Sequence, residues 1–316
     1  MTNSKKPRRR KQSVEAKEDP PYRSERHIVL DTNVIRDLAH GTPDWLENLA
    51  TLAEAGLEIS IHDLATLELT TGLLDHVATG KFGAKVDYVG MWTKIEPVLS
   101  KRIPVWPGKN DWLNFYPNSP DSGHPTVRSR LVDLRHQFEA LKSSLRAGRF
   151  LHTRYIKNKQ VFTAGTEATF RSAVDLAKIE KEKWISLMDR AKDSAVQARA
   201  DGAEPLSLEV LTEISLRQLE KEFPHIPDVR ARLDLAMRHF AWYQYMVAKD
   251  PKAGPVNHRA TSRENDGLDA YLPFALFWPC HILTSDKGAL SRMQAVDSPQ
   301  AMYFLHPSDA LRLLPS

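Results

Sequence analysis

HIVLDTNVI, residues His27 to Ile35, is the stretch on which the fold is read. A short apolar run rich in β-branched residues predicts a buried strand, and it delivers Asp31 at its end. Downstream, Pro43–Ala55 carries helical spacing and Gly56 stops it, with Pro43 suited to a first-turn position. Leu57–Ile61 is a second predicted strand. Asp63 then caps a helix running to about Val77, with Leu64, Leu67 and Leu74 on one stripe and Glu68 one position off it. A strand–helix–strand–helix order predicts a parallel sheet with covering helices.

Further along, Arg102–Trp106 is a candidate strand, and residues 107–125, rich in Pro, Gly, Asn and Asp, a loop. From about 126 to 250 the pattern is purely helical. Leu131, Leu134, Phe138, Leu141 and Leu145 step by three and four within Arg128–Lys159. Helices over about 165–200 and 206–222 follow, and then one over 227–248. After a polar connection, Leu268–Phe277 reads as an apolar helix, His281–Thr284 as a strand, Lys287–Met293 as a short helix and Tyr303–Leu305 as a last strand. The expected fold class is α/β, with a central parallel sheet interrupted by a large all-helical insertion. The expected division is a basic tail over 1–26, a first α/β part over 27–106, loop and insertion over 107–259, and a second α/β part over 260–316.

Composition narrows the setting. The 316 residues are 41% hydrophobic and 27% charged, as in ordinary globular chains, and no apolar run reaches the roughly 18 residues of a membrane span. No apolar stretch follows the basic residues of the N-terminus, so no secretory signal is expected. The single cysteine, Cys280, excludes an internal disulfide and a Cys-rich zinc site. A cytoplasmic protein without membrane association is the expectation. Lys5, Lys6, Arg8, Arg9, Arg10 and Lys11 stand without an acid among the first eleven residues. Without those six, 38 Lys and Arg face 40 Asp and Glu, so the net charge of +4 belongs to the tail. A basic tail is solvated and also able to meet phosphates.

In a parallel sheet, ligands bind beyond the carboxyl ends of the strands. Asp31 follows the first strand and Asp286 follows HILTS. Glu68 and Asp269 lie on helices flanking the same edge, with Asp266 three residues before Asp269. Each acid alone has a local explanation: a strand-end turn for Asp31, a solvated helix edge for Glu68, an N-cap for Asp286. An acid near a helix N-terminus gains roughly 0.3–1 kcal/mol, which accounts for Asp266 or Asp269. Converging carboxylates repel unless cations lie between them, and hard oxygen ligands suit Mg²⁺ or Mn²⁺.

These segments resemble those of PIN-domain nucleases. IVLDTNVI, 28–35, is similar to that family's first strand. LATLELTTGL, 64–73, looks like its second acidic segment, and GLDAYLPFALFWPCHILTSDK, 267–287, like the third and fourth. The resemblance implies a PIN-like three-layer fold and a metal-dependent ribonuclease biased to single strands. Its acidic site then maps onto Asp31, Glu68, Asp269 and Asp286, with Asn33 and Thr284 as polar supports. Asp266 competes with Asp269 for the third position, and Asp269 is preferred because it begins the apolar helix. Many members are toxins restrained by an antitoxin, so an antitoxin or a homo-oligomer is an implied partner. Typical small members lack so long an insertion, and substrate choice does not carry over from them.

Arg128–Lys159 holds nine Lys and Arg against Asp133 and Glu139. Within it Arg146, Arg149, Arg154, Tyr155 and Lys157 combine charge with an aromatic face, as single-stranded nucleic acid requires, and RNA is favoured. A solvated basic face is the competing explanation. Two other functions stay open. A haloacid-dehalogenase-type phosphotransferase also places Asp at the end of a first strand, but it needs a second Asp two residues on, where this chain has Asn33. A catalytically silent module that binds nucleic acid or protein through the insertion is the other.

Overall fold

The computed structural model describes residues 26–79, 87–147, 157, 162–249 and 266–314. Five parallel strands form its sheet: β1 (His27–Leu30), β2 (Glu58–His62), β3 (Val105–Trp106), β4 (His281–Leu283) and β5 (Phe304–Leu305), in the order β3-β2-β1-β4-β5. Strand β1 is central. Val29 is in register with Ser60 on one side and Ile282 on the other. Chain order reverses at β1, so the switch point of the sheet, where open α/β sheets place ligands, lies between β1 and β4.

Both faces of the sheet are covered, as near-continuous apolar strands require. Ile28, Leu30, Ile59, Ile61 and Leu283 point into one core. That core is shared with α1 (Thr32–His40), α2 (Leu46–Glu54), α3 (Asp63–Thr79), α4 (Tyr88–Ile95) and α6 (Pro125–Ala147). Val29, Ile282, Trp106 and Phe304 point into the other, with α5 (Lys109–Phe115), α8 (Leu208–Glu222), α9 (Val229–Arg232), α10 (Asp234–Lys249) and α12 (Lys287–Ala295). The long α7 (Ala164–Ala200) packs on α3 and α10. The four-residue α11 (Asp266–Asp269) precedes a 3-10 helix over Leu272–Phe277. Between β3 and β4 the described elements are all helical. Leu134, Phe138, Leu141 and Leu145 of α6 are buried with Ile28 and Ile61, so the inserted helices complete the sheet's own core. Burial of each such side chain contributes about 1.5–3 kcal/mol. Among the described residues no helix is long and apolar enough to cross a membrane.

Several element boundaries depart from the sequence reading. The run His27–Ile35 is not one strand: β1 ends at Leu30, and Thr32 opens α1, because the Asp31 carboxylate accepts the Thr32 N–H and caps it. Pro43 lies in a turn ahead of α2, its carbonyl accepting from Leu46 N. Gly56, at φ 87°, closes that helix, and the Leu57 N–H returns to Leu52 O. The expected loop 107–125 contains α5, held by the Asp111 carboxylate on Gly108 N and by the burial of Trp112 and Phe115. The helix expected over 227–248 breaks at Leu233 (φ −118°) into α9 and α10. The apolar helix expected over 268–277 is α11 followed by 3-10 turns, with Pro273 at their start. The basic tail lies outside the described residues.

Candidate functional site

Asp31 is placed by the end of β1 and the start of α1. Its backbone N–H donates to Leu283 O of β4 at 3.0 Å, which fixes it at the β1–β4 crevice. Its side chain is almost fully buried. Oδ1 accepts from Thr32 N at 2.7 Å, and Oδ2 from the Thr284 hydroxyl at 2.8 Å and the Asn33 amide at 3.3 Å. The expected supports Asn33 and Thr284 therefore both bond to Asp31. Burial raises the Asp31 pKa above its ordinary value. The Thr284 and Thr32 bonds and the nearby His62 oppose the rise, and the Asp286 carboxylate adds to it.

Glu68 sits on α3 at 7% exposure, so it is not the solvated edge that its offset from the apolar stripe allowed. Burial raises its pKa as well. Arg36 of α1 is the largest opposing influence, followed by a hydrogen bond with the Thr32 side chain, and the charge of Asp31 adds to the rise. Asp31 and Glu68 are thus neighbouring buried carboxylates.

Asp286 caps α12, its Oδ1 accepting from Ala289 N at 2.9 Å. Its own N–H donates to the Thr284 hydroxyl at 3.2 Å. Thr284, with no exposed surface, therefore ties the loop after β4 to Asp31.

Asp269 has a different setting. It ends α11 rather than beginning an apolar helix, so the reason for preferring it over Asp266 does not hold. Its carboxylate stands 4.0 Å from the Arg292 guanidinium of α12. Asp266 is the first residue of the same short helix. A Cβ on Gly267 between them would lie 2.7 Å from Trp184 Cγ, so this turn is pressed against α7. Among the described residues no three His, Cys, Asp or Glu side chains are grouped tightly enough to hold a metal ion.

Of the residues assigned to strand binding, Arg146 ion-pairs with Glu96, which Lys142 also meets at 2.9 Å. Arg130 pairs with Asp111 at 2.8 Å, and Arg135 reaches the Lys101 and Arg102 carbonyls. Part of the basic face of α6 is thus neutralised by acids and carbonyls of other elements, which a count within one helix does not reveal. Lys157 is helical and exposed. Arg149, Arg154 and Tyr155 lie outside the described residues.

Sequence reasoning missed His62, Thr32, Arg36 and Arg292. His62 ends β2 at 1% exposure and acts electrostatically on both Asp31 and Glu68. Its signal was available, since it directly follows the predicted strand Leu57–Ile61, on the edge that carries Asp31. Comparison with family models, with curated proteins and with solved structures gives no match to this chain.

Proposed function

We propose that the protein is a PIN-type, metal-dependent endonuclease acting on single-stranded nucleic acid, with RNA as the favoured substrate. The observation that carries this reading is the pair of buried, mutually repelling carboxylates, Asp31 and Glu68. They stand at the carboxyl edge of a parallel sheet, with Asp286 acting on Asp31.

The donors are of the kind that a hard divalent cation takes, although no three of them are grouped tightly enough to hold one as the described residues stand. They are carboxylate oxygens, and burial and like charge raise both Asp31 and Glu68, a burden that a cation relieves. Asp31, Glu68 and Asp286 would hold Mg²⁺ or Mn²⁺ together with Asp269 or Asp266. The ion supplies charge neutralisation and water activation for phosphodiester hydrolysis. Thr284 and Asn33 hold the Asp31 carboxylate in one orientation, and Thr32 and Arg36 orient Glu68. The exposed Lys157, the outer face of Arg146 and the segment with Arg149, Arg154 and Tyr155 are assigned to the strand. An antitoxin-like protein or a second copy is the proposed restraining partner.

A dehalogenase-type reading is less well supported. Position 33 donates an amide hydrogen to Asp31, and no acid stands there to protonate a leaving group.

The test is cleavage of labelled single-stranded RNA and its DNA counterpart with Mn²⁺, Mg²⁺ or EDTA, by wild type and Asp31→Asn. Metal-dependent cutting that the substitution abolishes is the expected result. Unchanged cutting by Asp31→Asn would overturn it, and a folded wild type that binds strands without cutting them would favour the silent binding module.

A further inference from the structure

Beside the acids a cavity of about 470 Å³ opens between α3, α5, α6 and α7. That volume is within the range of small-ligand pockets, roughly 300–1,000 Å³. It borders the acidic site through two residues. His62, which acts on Asp31 and Glu68, forms part of its wall, and so does Tyr271, two residues after Asp269.

The walls differ in character. Leu67, Leu134, Phe170 and Leu176 make an apolar side. The lining also holds Asp63, Asp111 and Glu180, with Lys109 and Arg130. Both bases are already committed, Lys109 to Glu180 at 2.7 Å and Arg130 to Asp111 at 2.8 Å. One acceptor is left over. Asp63 Oδ1 is engaged by Leu64 N at 2.7 Å and lies 2.9 Å from His62 Nδ1, whereas Oδ2 takes no hydrogen bond from a described residue. It rests against Gly108, where a Cβ would overlap it. The Leu64 N–H also donates to His62 Nδ1 at 3.0 Å, so Nδ1 is the accepting ring nitrogen. His62 Nε2, fully buried, then carries the ring proton and has no acceptor among the described residues.

The pocket thus asks for a flat group with apolar faces whose edge sets a hydrogen-bond donor beside an acceptor, as the cytosine N4 amine stands beside N3. We infer that it receives an unstacked nucleobase carrying an exocyclic amino group, next to the scissile phosphodiester. This rests on the nuclease reading and adds to it a base subsite built by the inserted helices. Single-stranded bases splay out and are read on such edges, and carboxylates accept from the cytosine N4 amine. Uracil, with a carbonyl at that position, would face the Asp63 carboxylate with an acceptor.

The experiment is binding of labelled hexacytidylate and hexauridylate, and of cytidine monophosphate, to the full chain in EDTA, where no cutting occurs. Wild type should bind hexacytidylate about tenfold more tightly than hexauridylate, the effect of one good base-edge contact. Asp63→Asn should bring the two within about twofold. Ala173→Phe, which narrows the cavity, should weaken hexacytidylate about tenfold with an unchanged circular dichroism spectrum. Equal binding of the two hexamers by wild type, or binding of neither, would overturn the inference. So would a preference that survives Asp63→Asn in a protein whose spectrum shows it folded. Monophosphate bound as tightly as the hexamer would mean a pocket for free nucleotides, which also overturns it. Metal-dependent cleavage is read separately, so the base pocket can fail while the nuclease stands.

Discussion

The Thr284 hydroxyl donates to Asp31 Oδ2 at 2.8 Å across 253 positions of sequence, and the hydroxyl oxygen in turn accepts the Asp286 N–H at 3.2 Å. One buried group thereby fixes the carboxylate after β1 and the loop after β4, on the two strands that flank the switch point of the sheet.

Thr284→Val removes that hydroxyl while keeping the shape of the side chain. It leaves the Asp286 N–H without its acceptor and Asp31 Oδ2 with the weaker Asn33 bond alone. The expected loss of stability is about 1–3 kcal/mol, the cost of stranding buried polar groups. Urea denaturation measures it. Thr284→Ser, which restores the hydroxyl, should recover most of the loss. A valine variant as stable as wild type would show that the bridge contributes nothing.

Glu68→Gln gives a prediction whose sign differs from most core substitutions. Burial raises the folded-state pKa of Glu68 above the unfolded value of 4.5. Between those two values the folded chain holds more protons, so stability falls as pH rises through the window and stays lower above it. The glutamine variant escapes this penalty. In EDTA it should melt higher than wild type at pH 7, and the difference should vanish at pH 4 and below. Addition of Mn²⁺ should narrow the gap at pH 7 by stabilising wild type alone. A glutamine variant less stable than wild type at pH 7 in EDTA would refute this.

These two residues also show how much of the site the sequence discloses. Asp31, Thr284 and Asp286 were legible because strand ends carry ligands and the β-branched runs before them are unambiguous. Glu68 was legible as a candidate, but its burial and its partners were not, because Arg36 and Thr32 reach it from another helix. The switch from strand to helix at Asp31 is absent from the pattern itself: Val34 and Ile35 look like strand residues, yet the Asp31 cap turns them into helix α1. Short helices fared worst. Lys109–Phe115 follows a Gly and Pro cluster, and only the Asp111 carboxylate on Gly108 N and the burial of Trp112 sustain it. The pairing of Arg146 with Glu96, from a segment 50 positions away, has no signature in local charge.

Gly267→Ala tests how the inserted helix α7 supports the third acid. A new Cβ would meet Trp184 Cγ at 2.7 Å and its Cβ at 2.8 Å, and these atoms are the rooted part of a buried side chain. The contact forces α11 away from α7 and displaces Asp266 and Asp269 together. A destabilisation of about 1–3 kcal/mol is expected, as for other overpacked sites. Cleavage should fall more than stability requires. Trp184→Ala in the same chain opens the space, so the double variant should lose less than the two single losses combined. Simple additivity in a double-mutant cycle would mean that the close approach carries no strain.

Arg292→Gln should tighten cation binding rather than weaken it. The guanidinium stands 4.0 Å from the Asp269 carboxylate, and a Cβ on Gly288 would lie within 3.3 Å of both Arg292 Nη1 and Asp286 Oδ1, so this one cation borders two of the proposed ligands. Its Nε is buried without a hydrogen-bond partner among the described residues, so replacing the group removes an unsatisfied donor together with the charge. A divalent ion entering among the acids has to approach that charge. Removing a unit charge about 4–5 Å away in a solvent-like medium is worth roughly 1 kcal/mol for each charge on the ion, or at least about fivefold in Kd. Titration with Mn²⁺, followed by calorimetry or by the rise in melting temperature, reads the change. Weaker binding in a folded glutamine variant would mean that Arg292 organises Asp269 for the ion instead of competing with it, and the proposed ligand set would have to be redrawn around Asp31, Glu68 and Asp286.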